Sequence, residues 1–148
     1  MQIEITKMTL SHLDKIKDIL NSEFDDFWNY NVFKSELQNE NSKYIVAIIN
    51  NEIVGFAGIW IAIDEAHITN IVTKKSYRNQ GIGKTLLDNL IILSDSLNLN
   101  SITLEVRESN TPAIKLYEKF DFKNLGVRKN YYKNNENAII MTKILKEM

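Results

Sequence analysis

Residues 65–97 read EAHITNIVTKKSYRNQGIGKTLLDNLIILSDSL, which combines a strand pattern, a cationic loop with two glycines and a helix pattern. The β-branched and apolar residues of EAHITNIVT predict a strand over residues 65–73. Apolar residues then recur at 82, 86, 90, 93 and 97, which predicts a helix over residues 82–97 that buries one face. The stretch RNQGIGKT, residues 78–85, therefore forms the turn that enters this helix.

This turn has the features of an anion-binding site. Gly81 and Gly83 let the backbone come close to a bulky group. The first N–H groups of a helix lack partners within the helix, and its dipole adds roughly half a positive charge there. Four cations lie nearby: Lys74, Lys75, Arg78 and Lys84. The pattern favours a diphosphate with a further phosphate close by; the alternative is an ordinary helix-entry turn with solvated cations.

Two common phosphate-binding motifs do not match the turn. A nucleoside-triphosphate loop needs glycine where this chain has Arg78, and a dinucleotide fingerprint needs a third small residue where it has Leu86. The turn therefore belongs to another kind of anion site.

Patterns on both sides of this stretch predict an α/β (α+β) domain with a mixed sheet. Upstream, we expect a strand over residues 2–9, helices over 10–20 and 31–38, and strands over 43–49 and 52–63 that flank a hairpin turn at Asn50–Asn51. Downstream, we expect a strand over 101–106, then a helix over 112–120 with Thr111 as N-cap and Pro112 at its first position. A strand pair over 123–132 and 137–145 closes the order β-α-α-β-β-β-α-β-α-β-β.

Composition limits the classes of function. The 148 residues are 44% hydrophobic and 25% charged with a net charge of -1, which fits one domain over residues 1–148 and no direct nucleic-acid binding. The absence of cysteine excludes disulfides, thiolate metal sites and cysteine nucleophiles. His12 and His67 lack the spacing of metal ligands, so we expect no metal. The start of the chain lacks a signal-peptide core, and no apolar run reaches the ~18 residues of a membrane span, which indicates a cytoplasmic protein.

Several separated blocks resemble one family. Arg78-x-x-Gly81-x-Gly83, after a strand and opening a helix, resembles the acyl-coenzyme A (acyl-CoA) loop of the GNAT superfamily of N-acetyltransferases. Residues 64–91, LEVRESNTPAIKLYEKFDF (104–122), RKNYY (128–132) and NAIIM (137–141) resemble the RimI-type ribosomal-protein-alanine N-acetyltransferases. The resemblance covers about residues 52–142 and, more loosely, DFWNYNVF at 26–33. It implies a GNAT-like domain with a seven-stranded, mostly antiparallel sheet and helices on both faces.

The resemblance also implies a binding mode for acetyl-CoA as cosubstrate. The backbone of Ile71, Val72 and Thr73 is expected to pair with the pantetheine arm, and Asn110 to hydrogen-bond that arm. The pyrophosphate is expected on Arg78, Asn79, Gln80, Gly81, Ile82, Gly83 and Lys84. The sheet is expected to splay between the strands at 66–73 and 101–106, which leaves a slot for the thioester.

Acetyl transfer to an amine needs one group that accepts a proton and one that donates a proton. By resemblance, Glu105 is the general base, acting through water, and Tyr117 contacts the cofactor and is the general acid that protonates the CoA thiolate. Alternation places Glu105 on one strand face with Thr103 and Arg107. The alternatives are a solvated strand glutamate and a core tyrosine.

An α-amine is the favoured acceptor. A peptide N-terminus with a pKa near 7.7–8.0 is roughly 10% neutral at pH 7, whereas a lysine near 10.4 is neutral at about 0.04%. Deprotonation is therefore a few-hundred-fold easier for the α-amine, although burial can shift the pKa of a lysine substrate.

Aromatic and acidic residues are candidates for contacts with a protein substrate. By resemblance, Tyr131 and Tyr132 close a peptide groove from the loop between the last strands; the alternative is a packed hairpin pair. Trp28 and Tyr30 are candidates for the other wall, or for anchoring the second helix. Four acidic residues are candidates for attracting a basic substrate, or are solvated charges: Asp25, Asp26, Asp64 and Glu65.

The predicted function is acetyl transfer from acetyl-CoA to a protein N-terminal α-amine, that of an N-terminal alanine of a small-subunit ribosomal protein. The alternatives are acetylation of a small amine or a lysine, and a non-catalytic acyl-CoA-binding module. The chain departs from the family at Asp121, where relatives have glycine and a left-handed turn is still expected, and at Asn137, where relatives carry aspartate. The second exchange removes a charge near the substrate side. The sequence leaves the oligomeric state open.

Overall fold

The computed structural model describes residues 2–25 and 28–146. The strands are β1 Glu4–Lys7, β2 Ser42–Ile49, β3 Glu52–Ala62, β4 Glu65–Thr73, β5 Ser101–Arg107, β6 Lys123–Arg128 and β7 Ala138–Ile144. The α-helices are α1 Leu10–Ile16, α2 Leu20–Phe24, α3 Tyr30–Leu37, α4 Ile82–Ser96 and α5 Thr111–Lys119. Two short 3₁₀ turns, Lys17–Ile19 and Lys75–Tyr77, lie between them.

The strands form one sheet in the order β1-β2-β3-β4-β5-β7-β6. Every neighbouring pair is antiparallel except β4 and β5, which α4 connects and which are parallel. The seven-stranded, mostly antiparallel sheet of the predicted fold class is thus confirmed.

The sheet splays between β4 and β5. These strands pair only at Glu65–Ser101, Ala66–Ile102 and His67–Thr103, although β4 continues to Thr73 and β5 to Arg107. Thr69 is an extra residue in β4, because Gly58 lies opposite Asn70 while the next residue of β3, Ile59, lies opposite Ile68. The expected slot therefore opens beyond His67, where the backbone edge of β4 faces no strand.

Two hydrophobic clusters cover the two faces of the sheet. On one face, Ile82, Leu86 and Leu90 of α4 pack on inward residues of β3 and β5. On the other, α1, α2 and α3 bury side chains that include Phe24 and Phe33. Helices therefore cover both faces, as predicted. The apolar stripe of α4 is shorter than predicted, because the helix ends at Ser96 and Leu97 is 40% exposed.

The boundaries of several predicted elements are wrong. The strand expected over residues 2–9 covers only Glu4–Lys7. The helix expected over 10–20 is two segments joined by a 3₁₀ turn, and buried Leu13 and Leu20 on either side show that both segments stay against the sheet. Thr111 is not the N-cap of α5. Asn110 is, because its Oδ1 accepts a hydrogen bond from the Ala113 backbone at 3.3 Å. The strand expected over 123–132 ends at Arg128.

Several turns match their predicted chemistry. Asn50 and Asn51 both have positive φ, 50° and 66°, which is the two-residue hairpin geometry that asparagine tolerates. Asp121 has φ 68° and forms the left-handed turn after α5. No helix of the described part of the chain is long and apolar enough to cross a membrane.

Candidate active site

A cleft of about 700 Å³ lies at the N-terminus of α4, beside the open edge of β4. Gly81 is the N-cap of α4 with φ 85°, a left-handed conformation that disfavours residues with a Cβ. A Cβ at this position would have no atom within 4 Å, so the turn faces open space. No side chain of the described residues caps the first turn, which leaves its N–H groups available to a ligand.

Most of the residues predicted to contact the cofactor line this cleft. Gln80, which is exposed, and Tyr117 are not among its lining residues. Phe24, Asp25, Ala113 and Leu116 line it although they were not predicted to. The predicted residues that do line it are Ile71, Val72, Thr73, Arg78, Asn79, Gly81, Ile82, Gly83, Lys84 and Asn110.

Acidic side chains already hold most of the cations predicted near the loop. The Asp25 carboxylate accepts from Arg78 Nη2 and pairs with Lys75 Nζ, both at 3.0 Å. These contacts, first that of Arg78 and then that of Lys75, lower the pKa of Asp25. Lys84 forms no ion pair among the residues that the structure describes. Asp25, which the sequence makes a candidate for attracting a basic substrate, therefore lies at the proposed anion cleft and pairs with its cations.

Lys74 is directed to another partner. Its Nζ lies 2.6 Å from Glu52 Oε2, and Tyr77 donates its hydroxyl to Glu52 Oε1 at 2.9 Å. The hydrogen bond from Lys74 is the main cause that lowers the pKa of Glu52, and the hydrogen bond from Tyr77 is the next. The Lys74–Glu52 bond also raises the pKa of Lys74. Only Arg78 and Lys84 of the four predicted cations line the cleft.

Glu105 lies on β5 just past the point where β4 and β5 separate. Its side chain is 27% exposed, and Arg128 Nη1 of β6 donates to both carboxylate oxygens, at 3.2 and 3.3 Å. The apolar neighbours Leu104 and Val106 point into the cluster under α4, so Glu105 projects from the opposite face. Sequence patterns do not reveal Arg128 as its partner, because β7 lies between the two strands.

Tyr117 lies on α5, where its ring centroid is 5.9 Å from that of Phe122. Its hydroxyl has no hydrogen-bond partner within the described ranges. Burial raises the pKa of the phenol, with a smaller contribution from Tyr132. The hydroxyl therefore keeps its proton at neutral pH. Burial also raises the pKa of Tyr132, with smaller contributions that include the charge of Glu105.

The loop between β6 and β7 stacks its tyrosines on arginines. Tyr131 and Tyr132 meet edge to face at 5.0 Å; the guanidinium of Arg128 is 5.0 Å from the first ring and that of Arg107 is 3.9 Å from the second. Arg107 also pairs with Glu136 at 3.0 Å. The loop is thus held next to Glu105 by two arginine–tyrosine contacts.

Comparison with known proteins agrees with this architecture. Residues 13–122 match the model described as the Acetyltransferase (GNAT) family. The chain belongs to the GNAT family of acetyltransferases. A protein of Bacillus subtilis, provisionally named a ribosomal protein bS18-alanine N-acetyltransferase, is 40% identical over 93% of this chain and 92% of its own. The bS18-alanine N-acetyltransferase of Haemophilus influenzae is 38% identical over 77% of this chain and 80% of its own. The crystal structure of the ribosomal-protein-S18-alanine N-acetyltransferase of Escherichia coli has a TM-score of 0.88 and 30% identity, and the match covers 99% of this chain and 96% of that one.

The other predicted substrate contacts of this GNAT chain have structural partners. Trp28 packs on Phe33 at 5.7 Å and on Tyr44 at 6.4 Å, the arrangement expected if it anchors α3. The Tyr30 hydroxyl donates to Asp14 of α1 at 2.6 Å. A wall of the groove at Trp28 stays a prediction, and Asp26 lies outside the described residues.

Asn137 has a structural role for which an aspartate is less suited. Its Oδ1 accepts from the Asn130 backbone at 3.0 Å, and its Nδ2 donates to Glu108 Oε2 at 3.3 Å. An aspartate has no N–H to donate and would face the Glu108 carboxylate with a like charge. The asparagine therefore closes the base of the β6–β7 loop.

Proposed function

We propose that this acetyltransferase modifies the N-terminal α-amine of alanine in the small-subunit ribosomal protein bS18, with acetyl-CoA as donor. The names of the relatives supply the substrate. The observation that carries the proposal is that β4 and β5 separate beyond His67, with Glu105 on β5 just past this point and Tyr117 on α5, the next element along the chain. Acetyl transfer to an amine requires one group that accepts a proton and one that donates a proton, which a carboxylate and a protonated phenol provide.

The residues of the cleft fit acetyl-CoA. The edge of β4 beyond His67 pairs with no strand, so Ile71 to Thr73 can bind an extended amide-containing arm as an added strand does. The free N–H groups of α4, with Arg78 and Lys84, suit a diphosphate. Asn110 uses its carbonyl as the helix cap, and its Nδ2 remains able to donate to the arm. When bound, the donor supplies an acetyl thioester.

Glu105 and Tyr117 supply the two proton transfers. Glu105 removes the proton of the α-amine, through a water molecule, as the amine nitrogen forms its bond to the acetyl carbon. Tyr117 donates its proton to the sulfur as the carbon–sulfur bond breaks. The raised pKa of Tyr117 suits this role, since the phenol reaches the reaction fully protonated. No acyl-enzyme is needed.

Three acceptors test the proposal. The purified protein is incubated with acetyl-CoA and one of three acceptors, and acetylation is measured by mass spectrometry. The first acceptor is a peptide of the bS18 N-terminus, the second is the same peptide with a formylated α-amine and an added lysine, and the third is spermidine. We expect acetylation of the free N-terminal alanine, and a kcat about 10² to 10⁴-fold lower in Tyr117→Phe and in Glu105→Gln. Preferred acetylation of the blocked peptide or of spermidine would replace the proposed substrate, and acetyl-CoA binding without any transfer would indicate a binding module.

A further inference from the structure

Arg128 is the only described side chain that hydrogen-bonds the Glu105 carboxylate. In the sheet, Arg107, Ala138 and Arg128 form one row across β5, β7 and β6. The next row along the strands contains Glu105, Ile140 and Gly126, so all these residues share a face with Glu105. On this face the Arg128 guanidinium reaches across β7 and donates to Glu105 from Nη1 at 3.2 Å.

We propose, on the basis of the function proposed above, that Arg128 is a positioning residue that cancels the charge of Glu105 until the substrate amine has lost its proton. An uncompensated carboxylate beside the amine stabilises the ammonium form, which cannot attack a thioester. A guanidinium 3.2 Å from that carboxylate removes most of this stabilisation. Arg128 thus keeps Glu105 from holding the amine as an ammonium ion pair before the amine attacks.

The other charged or titratable groups around Glu105 do not provide this compensation. Arg107 is paired with Glu136 at 3.0 Å and stacked on Tyr132. The raised pKa values of Tyr117 and Tyr132, both caused first by burial, keep these phenols uncharged near neutral pH. His67 lies on β4 opposite Thr103 of β5. Because none of the variants described below changes His67, it contributes equally to the wild type and to each variant. Among the described residues, Arg128 is therefore the one cationic side chain on this face that pairs with Glu105.

A charge-removing substitution with a matched control tests the role. Arg128→Gln is compared with Lys129→Gln, since Lys129 is an exposed neighbour with no ion pair in the described part of the chain. In Arg128→Gln the acid limb, the part of the kcat–pH profile where kcat for the bS18 peptide falls toward low pH, is expected to shift to higher pH by about 0.5 to 1 unit. The shift is small because solvent screens an exposed charge pair. At pH 7 kcat then falls about 3- to 10-fold while KM for the peptide is unchanged or lower, because more amine binds as ammonium.

The direction of KM separates this role from simple support of the loop. Loss of a structural contact would raise KM and leave the pH profile in place, and that outcome would overturn the proposal. Arg128→Lys keeps the charge but loses the guanidinium that lies 5.0 Å from the Tyr131 ring centroid, so it is expected to restore the wild-type acid limb even if KM rises. An acid limb in Arg128→Lys that matches Arg128→Gln would also overturn it.

The same experiment distinguishes this inference from the proposed function. If the wild-type protein does not acetylate the peptide, the proposed function fails. If the wild type acetylates it and Arg128→Gln behaves like Lys129→Gln, only the role of Arg128 fails.

Discussion

Gly58 allows a tyrosine to cross the middle of the sheet. It lies on β3 between Tyr44 of β2 and Asn70 of β4, in one row of the sheet. The buried Tyr44 ring spans this position, and its hydroxyl forms 2.7 Å hydrogen bonds with Thr69 Oγ1 and Asn70 Oδ1, at the bulge of β4. A Cβ at Gly58 would lie less than 3.0 Å from the Tyr44 ring. Gly58→Ala is therefore expected to displace the ring from the bulge.

The expected loss of stability has two parts. Overpacking a tight site costs about 1–3 kcal/mol. Loss of the hydrogen bonds of the buried Tyr44 hydroxyl adds about 1–3 kcal/mol. The better strand propensity of alanine offsets roughly 0.5–1 kcal/mol. The net loss is about 3 kcal/mol, which lowers the Tm of a chain of this size by roughly 6–12 °C.

Urea and thermal unfolding measure this loss, with another strand glycine as control. A Cβ at Gly126 would lie 3.6 Å from Ile140 Cδ1, an ordinary contact, so Gly126→Ala should keep the propensity gain and raise the free energy of unfolding by roughly 0.5–1 kcal/mol. In a Tyr44→Ala background the cost of Gly58→Ala should largely disappear, because the ring is gone. Equal effects of the two glycine substitutions, or the same cost in both backgrounds, would refute the reasoning.

Three further predictions concern single positions. Gly81→Ala forces a Cβ into φ 85°, so we expect about 1 kcal/mol lower stability and a higher KM for acetyl-CoA; unchanged values for both would contradict the role of this turn. Ile63 is 98% exposed with φ 59°, a strained conformation for a β-branched residue, so Ile63→Asn should raise the free energy of unfolding by about 0.5–1 kcal/mol, whereas Ile63→Val should leave it unchanged in urea titrations. Hydrogen bonds from Ser109, with Arg107, lower the pKa of Glu136 from 4.5 to about 2, so its stabilising contribution is present above pH 4.5 and is lost as the pH falls toward 2. Between these pH values the Tm of the wild type should therefore fall more steeply than that of Glu136→Gln, and parallel curves would refute the assignment.

Features set by neighbouring residues could be predicted from the sequence. The apolar period of residues 82–97 predicted α4, and its first positions, Ile82, Leu86 and Leu90, are buried. Asn50, Asn51 and Asp121 adopt the left-handed conformations that their turns require. Each of these results depends on contacts within one or two turns of the chain, which a pattern of residue types can encode.

The same local chemistry leaves exact boundaries undecided. Asn110 and Thr111 are both good N-caps, and the helix begins one residue before the predicted start because Asn110 caps it. A 3₁₀ turn interrupts the helix predicted over residues 10–20 although the apolar period continues across it. Ile16 before this turn and Phe24 after it are both buried, so the two segments pack on the sheet despite the break.

Partners from distant segments were beyond prediction, and they change how each charge at the site works. Asp25 meets Arg78 across 53 positions and Glu105 meets Arg128 across 23, each through sheet pairing or helix packing that residue spacing does not encode. In both pairs, the charge proposed to serve a ligand is already neutralised by the protein. A diphosphate therefore competes with a carboxylate for Arg78, whereas the Arg128 guanidinium keeps a substrate ammonium from pairing with Glu105. Because a diphosphate at Arg78 replaces one ion pair by another, this cation contributes more to the choice of ligand than to the affinity for it, and the compensated Glu105 likewise favours the neutral form of the amine.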